Sequence, residues 1–147
     1  MLISIDFKTK LSPADTFSFI AKNLFKNHEK WDPYIIENTK LTDGPVRVGT
    51  KGRTITNFLG KQKADFEVTE FIPDKTFIFV NTSGDVQLTR AYSFSQSKNG
   101  GTNINFSFEI KPGNLQSRLG FPIIVAIVKK RVPKNIKLLQ DLLDSQK

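Results

Sequence analysis

Arg90 raises the first chemical question. It lies in the run Val86-Gln-Leu88-Thr-Arg90-Ala-Tyr92-Ser-Phe94. A period of two puts Arg90 on one apolar strand face with Val86, Leu88, Tyr92 and Phe94. A guanidinium there needs a partner, because an unpaired buried charge is costly. Three readings are open. Arg90 points into a cavity and binds the carboxylate or phosphate of an amphipathic ligand, or it pairs with an Asp or Glu, or its stem packs while its head reaches solvent. Tyr92 shares the face, and its hydroxyl either orients a ligand or bonds to backbone. Arg53 and Asn57 alternate with Ile55 and Leu59, but Thr54, Thr56 and Phe58 make an equally poor outer face, so the inner side of that strand is undecided. Asp32 and Glu70 complete the groups able to move a proton.

Other chemistries are excluded by what is missing. The chain has no cysteine, which removes disulfides, thiolate metal sites and a cysteine nucleophile. It has one histidine, His28, so a site of several histidines is ruled out. His28 stands in the polar stretch Lys26-Asn-His-Glu-Lys30 and is expected at the surface. No Gly-rich phosphate loop, His-Glu-x-x-His or Gly-x-Ser-x-Gly is present. No metal and no cofactor is expected.

The elements that must position these groups follow from periodicity. With 147 residues the chain is expected to form one domain, residues 1–147. Ile3, Ile5 and Phe7 alternate with polar residues and predict a first strand. Ser12-Pro13-Ala14-Asp15 reads as a helix start, with Ser12 as cap and Pro13 in the first turn. Phe17, Ile20, Ala21 and Leu24 continue at helical spacing, a second short helix reaches Trp31, and Asp32-Pro33 ends it. Six runs then predict strands joined by short turns: Ile35 to Leu41, Thr50 to Leu59, Gln62 to Ile72, Thr76 to Val80, Val86 to Ser95, and Thr102 to Ile110. In the last run Ile104, Phe106, Phe108 and Ile110 share one face and Asn103, Asn105, Ser107 and Glu109 the other. Asn114 to Leu119 reads as a turn or short helix. From there to the end the spacing is helical, with Val128, Val132, Ile136, Leu139 and Leu143 in one stripe. Pro133 is expected to split this helix into Pro122–Val132 and Lys134–Ser145.

The expected class is therefore α+β: a curved antiparallel sheet of about seven strands around a long C-terminal helix, with two short helices between strands 1 and 2. A sheet curling round one helix tends to leave a cavity, and 13 Phe residues are available to line it. The segments Leu11-Ser-Pro-Ala-Asp15, Trp31-Asp-Pro33, Val48-Gly-Thr50, Glu67-Val-Thr-Glu-Phe-Ile-Pro-Asp74 and Gly100-Gly-Thr102, in this order and spacing, carry a resemblance over nearly the whole chain. The sequence resembles the START and birch-pollen-allergen-like superfamily, with its helix-grip fold, and within it the small bacterial polyketide cyclase/dehydrase-like proteins. That superfamily hosts lipid carriers, hormone receptors, cyclases, hydrolases and cochaperones, so fold alone does not choose a function.

The resemblance implies binding or carrying of a hydrophobic or amphipathic small molecule (a lipid, isoprenoid or polyketide-like compound) between sheet and helix. The alternative is a polyketide aromatase/cyclase-type enzyme using the same cavity. No acid–base pair is recognisable, which favours binding over turnover. The expected ligand-facing residues are Arg90, Tyr92, Leu88, Phe94, Phe106 and Phe108 from the sheet and Ile124 and Val128 from the long helix. Trp31, which in this resemblance lies near the cavity mouth, is either a gate or a core plug.

The net charge of +8 is concentrated late: no acid occurs between Glu109 and Asp141. Ile123 and Ala126 project away from the stripe that faces the sheet, and Lys129-Lys-Arg131 follows. Two readings are open, a contact with an anionic membrane or a second copy through Ile123 and Lys129–Arg131, and cover by neighbouring segments. Nucleic acid is not an expected partner, because the rings alternate inward rather than lying among exposed cations. A monomer or homodimer fits. The opening Met1-Leu-Ile-Ser-Ile lacks a signal-peptide pattern, so a soluble cytoplasmic protein is expected.

Overall fold

The computed structural model describes residues 1–57, 60–114 and 119–146. Seven strands, β1 (Leu2–Thr9), β2 (Ile35–Lys40), β3 (Lys51–Asn57), β4 (Lys61–Ile72), β5 (Thr76–Ser83), β6 (Val86–Gln96) and β7 (Thr102–Lys111), form one antiparallel sheet. Its order is β1-β7-β6-β5-β4-β3-β2, a meander from β2 to β7 with β1 added beside β7. The expected strands are all found, with boundaries shifted by up to three residues. Phe58 and Leu59, and residues 115–118 of the expected turn or short helix, lie outside the described residues.

Between β1 and β2 run α1 (Pro13–Phe17), a π-helical turn (Ser18–Lys22) and α2 (Leu24–Trp31). Ser12 caps α1 as expected, its Oγ accepting from Asp15 N at 3.2 Å. α3 (Phe121–Asp144) crosses the inner face of the sheet. Its buried stripe is Val128, Val132, Ile136, Leu139 and Leu143, as the spacing predicts. The break expected at Pro133 is not found: α3 runs unbroken from Phe121 to Asp144. Val132 and Ile136 on either side are anchored in the core, while Pro133 itself faces solvent.

The register settles the inner face. Phe106 and Phe108 pair with Tyr92 and Arg90, so the apolar runs of β6 and β7 lie side by side. Ile104, Phe106, Phe108, Ile110, Tyr92 and Phe94 are buried, with Asn103 and Asn105 on the other face. On β4 a bulge between Val68 and Glu70 shifts the alternation, so Phe71 joins Phe66 and Val68 inside. Phe17 then sits among Phe71, Phe77 and Phe94, with ring centroids 5.0, 6.5 and 5.4 Å away. On β3 the inner face is Gly52, Thr54 and Thr56. Arg53 and Asn57 are outside, and Arg53 forms a two-pronged pair with Asp65 at 2.7 and 3.2 Å.

The C-terminal end of α3 is fastened to β1. Thr9 Oγ1 and Lys10 N donate to Asp144 Oδ1, at 2.7 and 3.1 Å, and Gln140 Nε2 donates to the Lys8 carbonyl at 2.9 Å. The start of α3 is less covered: Leu119 and Ile123 are 75% and 61% exposed. Core filling is thus concentrated at one end of the sheet, which leaves space under the first half of α3.

Candidate functional site

That space is a cavity of two adjoining lobes. The larger, about 260 Å³, is walled by Ile35, Val86, Leu88, Ile110, Ile124 and Val128, with Thr54 and Thr56 opposite. The smaller, about 50 Å³, reaches towards Trp31, Tyr92, Phe106, Val132 and Ile136. His28, Asp32, Arg90, Phe108, Val128 and Arg131 border both lobes. A separate hollow of about 380 Å³ runs along β1, β6 and β7 beside Asp6, Lys8, Ser93, Ser95, Asn103 and Asn105, where Asn105 Nδ2 bonds to Ser4 Oγ and Asp6 Oδ1.

Arg90 reaches the cavity from β6. Nη1 donates to Asn81 Oδ1 at 2.5 Å, and the guanidinium lies 4.9 Å from the Phe108 ring centroid and 5.7 Å from that of Phe79. Asn81 alternates inward along β5 with Phe77 and Phe79. No carboxylate of the described residues pairs with Arg90. The pairing with Asp or Glu is therefore not what holds it; an amide and two aromatic faces do. Burial pulls its pKa down and Asp32 opposes this, but a guanidinium keeps its proton at any ordinary pH.

The carboxylate of the site belongs to a different arginine. Asp32 follows α2, and its backbone N–H donates to the His28 carbonyl at 3.1 Å. Asp32 Oδ1 accepts from Tyr34 N at 3.2 Å, the local turn that Asp-Pro favours. The same oxygen accepts from Arg131 Nη2 at 2.7 Å, and both side chains are largely buried. The Arg131 guanidinium also lies 3.8 Å from the Tyr34 ring centroid. Burial opposes the charge on Asp32, but His28, Arg131 and Arg90 outweigh it and hold the carboxyl below its ordinary pKa. Arg131 was expected at the membrane-facing side with Lys129 and Lys130; it turns inward instead, because Asp32 gives it a buried partner, and only the two lysines are exposed.

His28 is the residue the sequence pattern misplaced. It is 5% exposed, not at the surface. Its flanks are polar, but Leu24, Asn27, His28 and Trp31 follow one helical stripe, and that spacing was the available signal. Asn27 is satisfied by the Phe19 carbonyl at 2.9 Å. The His28 ring packs against Trp31 and Phe79, with centroids 5.1 and 5.9 Å away. Nδ1 is buried without a hydrogen-bond partner among the described residues. Burial lowers its pKa to about 4, Arg90 and Arg131 add to this, and Asp32 opposes it. The imidazole is therefore neutral at neutral pH.

Of the residues expected to face a ligand, Arg90, Tyr92, Trp31, Leu88, Phe106, Phe108, Ile124 and Val128 line the cavity. Phe94 does not: it packs against Phe17 and stacks 6.4 Å from Tyr92, farther along the sheet. Trp31 is 2% exposed, a buried wall and not an open gate. Tyr92 is buried, which raises the pKa of its hydroxyl well above the ordinary value, so it remains protonated. Among the described residues no cluster of metal-ligating side chains occurs, and no helix is long and apolar enough to cross a membrane. Glu70 is not among the cavity-lining residues.

No family model and no curated protein matches the chain. Solved structures do match it. A START superfamily protein from Mycobacterium smegmatis superposes with a TM-score of 0.73 at 14% identity, covering 97% of each chain. Ara h 8.0201 gives 0.71 at 12% identity over 99% of each chain. The Aha1 dimer from Colwellia psychrerythraea gives 0.66 at 18% identity, covering 99% of this chain and 97% of that one. With the seven-stranded sheet, the paired short helices and the long C-terminal helix, these likenesses establish that the chain has the helix-grip, START-like fold.

Proposed function

We propose that this protein binds a small amphipathic molecule, with the apolar body in the larger lobe and the polar end at Arg90. The observation that carries this reading is Arg90 itself: a guanidinium at the cavity wall with one hydrogen bond, to Asn81, and no paired carboxylate among the described residues. A guanidinium has five N–H donors, so its bonding capacity is mostly unspent on the protein. The apolar walls contribute by area removed from water, and the polar end sets orientation. A volume of about 260 Å³ is just below the usual range, ~300–1,000 Å³, for small-molecule sites. That favours a single medium chain or a compact ring system over a two-chain lipid.

The exposed Leu119 and Ile123, with Lys129 and Lys130 nearby, support a peripheral contact with an anionic membrane surface, at which such a molecule is taken up or released. A cyclase-type reaction is the second reading, favoured by the burial of His28 beside Asp32; turnover of a polyketide-like substrate, lost in His28→Gln, is its test. The binding reading is tested by native mass spectrometry of the protein as purified, followed by thermal-shift measurement with an amphipathic panel. A ligand at 100 times its Kd stabilises by about 2.7 kcal/mol. Arg90→Met is expected to abolish the shift for anionic compounds and to spare neutral ones. Absence of any retained or added ligand would overturn the reading.

A further inference from the structure

The proposed binding reading leaves the polar end of the ligand undefined, and the charges around the cavity define it. Among the described residues, four ionisable groups other than Tyr92 face this space: His28 on α2, Asp32 just after it, Arg90 on β6 and Arg131 on α3. Arg131 and Asp32 neutralise each other through a 2.7 Å contact. His28 is neutral. One positive charge is left over, and it sits on Arg90. A single negative charge on the ligand would balance it. A phosphate monoester, at about −1.5 to −2 near neutral pH, would leave net negative charge in a poorly hydrated cavity.

His28 supplies the second half of the argument. Its imidazole and the Arg90 guanidinium lie against the same ring, Phe79, at 5.9 and 5.7 Å from its centroid. Both also line both lobes of the cavity, so a group bound at Arg90 shares its space with the imidazole. That imidazole borders both lobes of the cavity, packs against Trp31, and has its Nδ1 buried without a hydrogen-bond partner among the described residues. A neutral imidazole offers one donor and one acceptor, and a ligand group at the cavity wall can bond to whichever ring nitrogen faces it. A hydroxyl, which both donates and accepts, suits either tautomer.

Resting on the binding reading above, we infer that the cavity is built for a monoanionic hydroxycarboxylate: Arg90 holds the carboxylate and His28 hydrogen-bonds a hydroxyl a few atoms away, with a medium-length apolar body beyond. His28 is then a specificity-determining residue for the hydroxyl, and Arg90 for the charge.

The test is calorimetric titration of the full chain at pH 7.5 with five probes of one chain length: 1-decanol, decanoate, 2-hydroxydecanoate, 3-hydroxydecanoate and decyl phosphate. Decanoate is expected to bind about tenfold or more tighter than 1-decanol, and at least one hydroxydecanoate about fivefold tighter again, the scale of one charge-assisted and one neutral hydrogen bond. Decyl phosphate is expected to be weaker than decanoate. Arg90→Met should erase the preference for decanoate over decanol. His28→Phe keeps a ring between Trp31 and Phe79 and should erase only the preference for the hydroxyl. The wild-type comparison needs no variant to fold. Equal binding of decanol and decanoate would overturn the charge argument while leaving the cavity reading intact. Hydroxydecanoates no tighter than decanoate would overturn the role of His28. If no probe binds, the cavity reading fails and this inference fails with it.

Discussion

Lowering the pH should unfold this protein partly through one residue, His28. In the unfolded chain its pKa is near 6.5; in the folded protein it lies at about 4, with burial the chief cause. The folded pKa is depressed, so the unfolded chain binds more protons between those values. Stability is then complete above pH 6.5 and falls as the pH drops towards 4. The displacement corresponds to roughly 3 kcal/mol in full, with about 2 kcal/mol already lost between pH 7 and pH 5. Asp32 acts in the same direction at lower pH: its depressed pKa supplies stability above the ordinary carboxylate value that is lost as its carboxylate is protonated. The two groups attract each other, so they titrate together and the variant comparison must separate them. Urea unfolding of the wild type and His28→Phe at pH values from 7.5 to 4.5 does so. The wild type should lose about 2.5 kcal/mol more than the variant over this range, at unchanged slope against urea. Parallel pH profiles for the two proteins would refute the reasoning and mean that the ring is solvated in the folded state.

Three further outcomes are expected. Asp32→Asn or Arg131→Met, each stranding one partner of a largely buried ion pair, should cost about 3 kcal/mol, measured by urea unfolding; a loss under 1 kcal/mol would mean that water screens the pair. Gly52→Ala should destabilise by about 1–3 kcal/mol, because its Cβ would fall 2.3 Å from Phe66 Cζ and 2.6 Å from Phe25 Cε1, inside the Phe25–Phe66 stack; a wild-type melting temperature would show that the stack moves freely. Pro133→Ala, at an exposed position in a continuous helix, should stabilise by up to about 3 kcal/mol in thermal or urea unfolding, and a loss would show that the proline ring makes contacts of its own.

Much of the fold was legible along the chain. Strand alternation in β6 and β7, the Ser12-Pro13 helix start, the Asp32-Pro33 stop and the stripe on α3 are local signals, because they arise from backbone geometry and one-dimensional spacing. They decide which strand residues face inward, and so put Arg90, Tyr92, Phe106 and Phe108 on apolar faces independently of strand pairing. Where local signals conflicted, they did not decide. The polar flanks of His28 outweighed its place in the Leu24–Trp31 stripe, although burial depends on which face α2 turns to the sheet. The inner side of β3 is not decided by its alternation; it is decided by the place of Gly52 under Phe25 and Phe66. The basic run Lys129–Arg131 read as one surface, yet Asp32, 99 residues away in sequence, draws Arg131 inside. Whether Arg90 meets an acid, an amide or a cavity was likewise beyond the sequence, since Asn81 on the neighbouring strand and Asp32 just after α2 both border the same cavity. Partner choice among buried polar groups is decided by three-dimensional distance and desolvation, which sequence spacing does not encode. The sequence by itself therefore determined the elements and their apolar faces, and only the tertiary structure decided which charges are neutralised and which one is left facing the cavity.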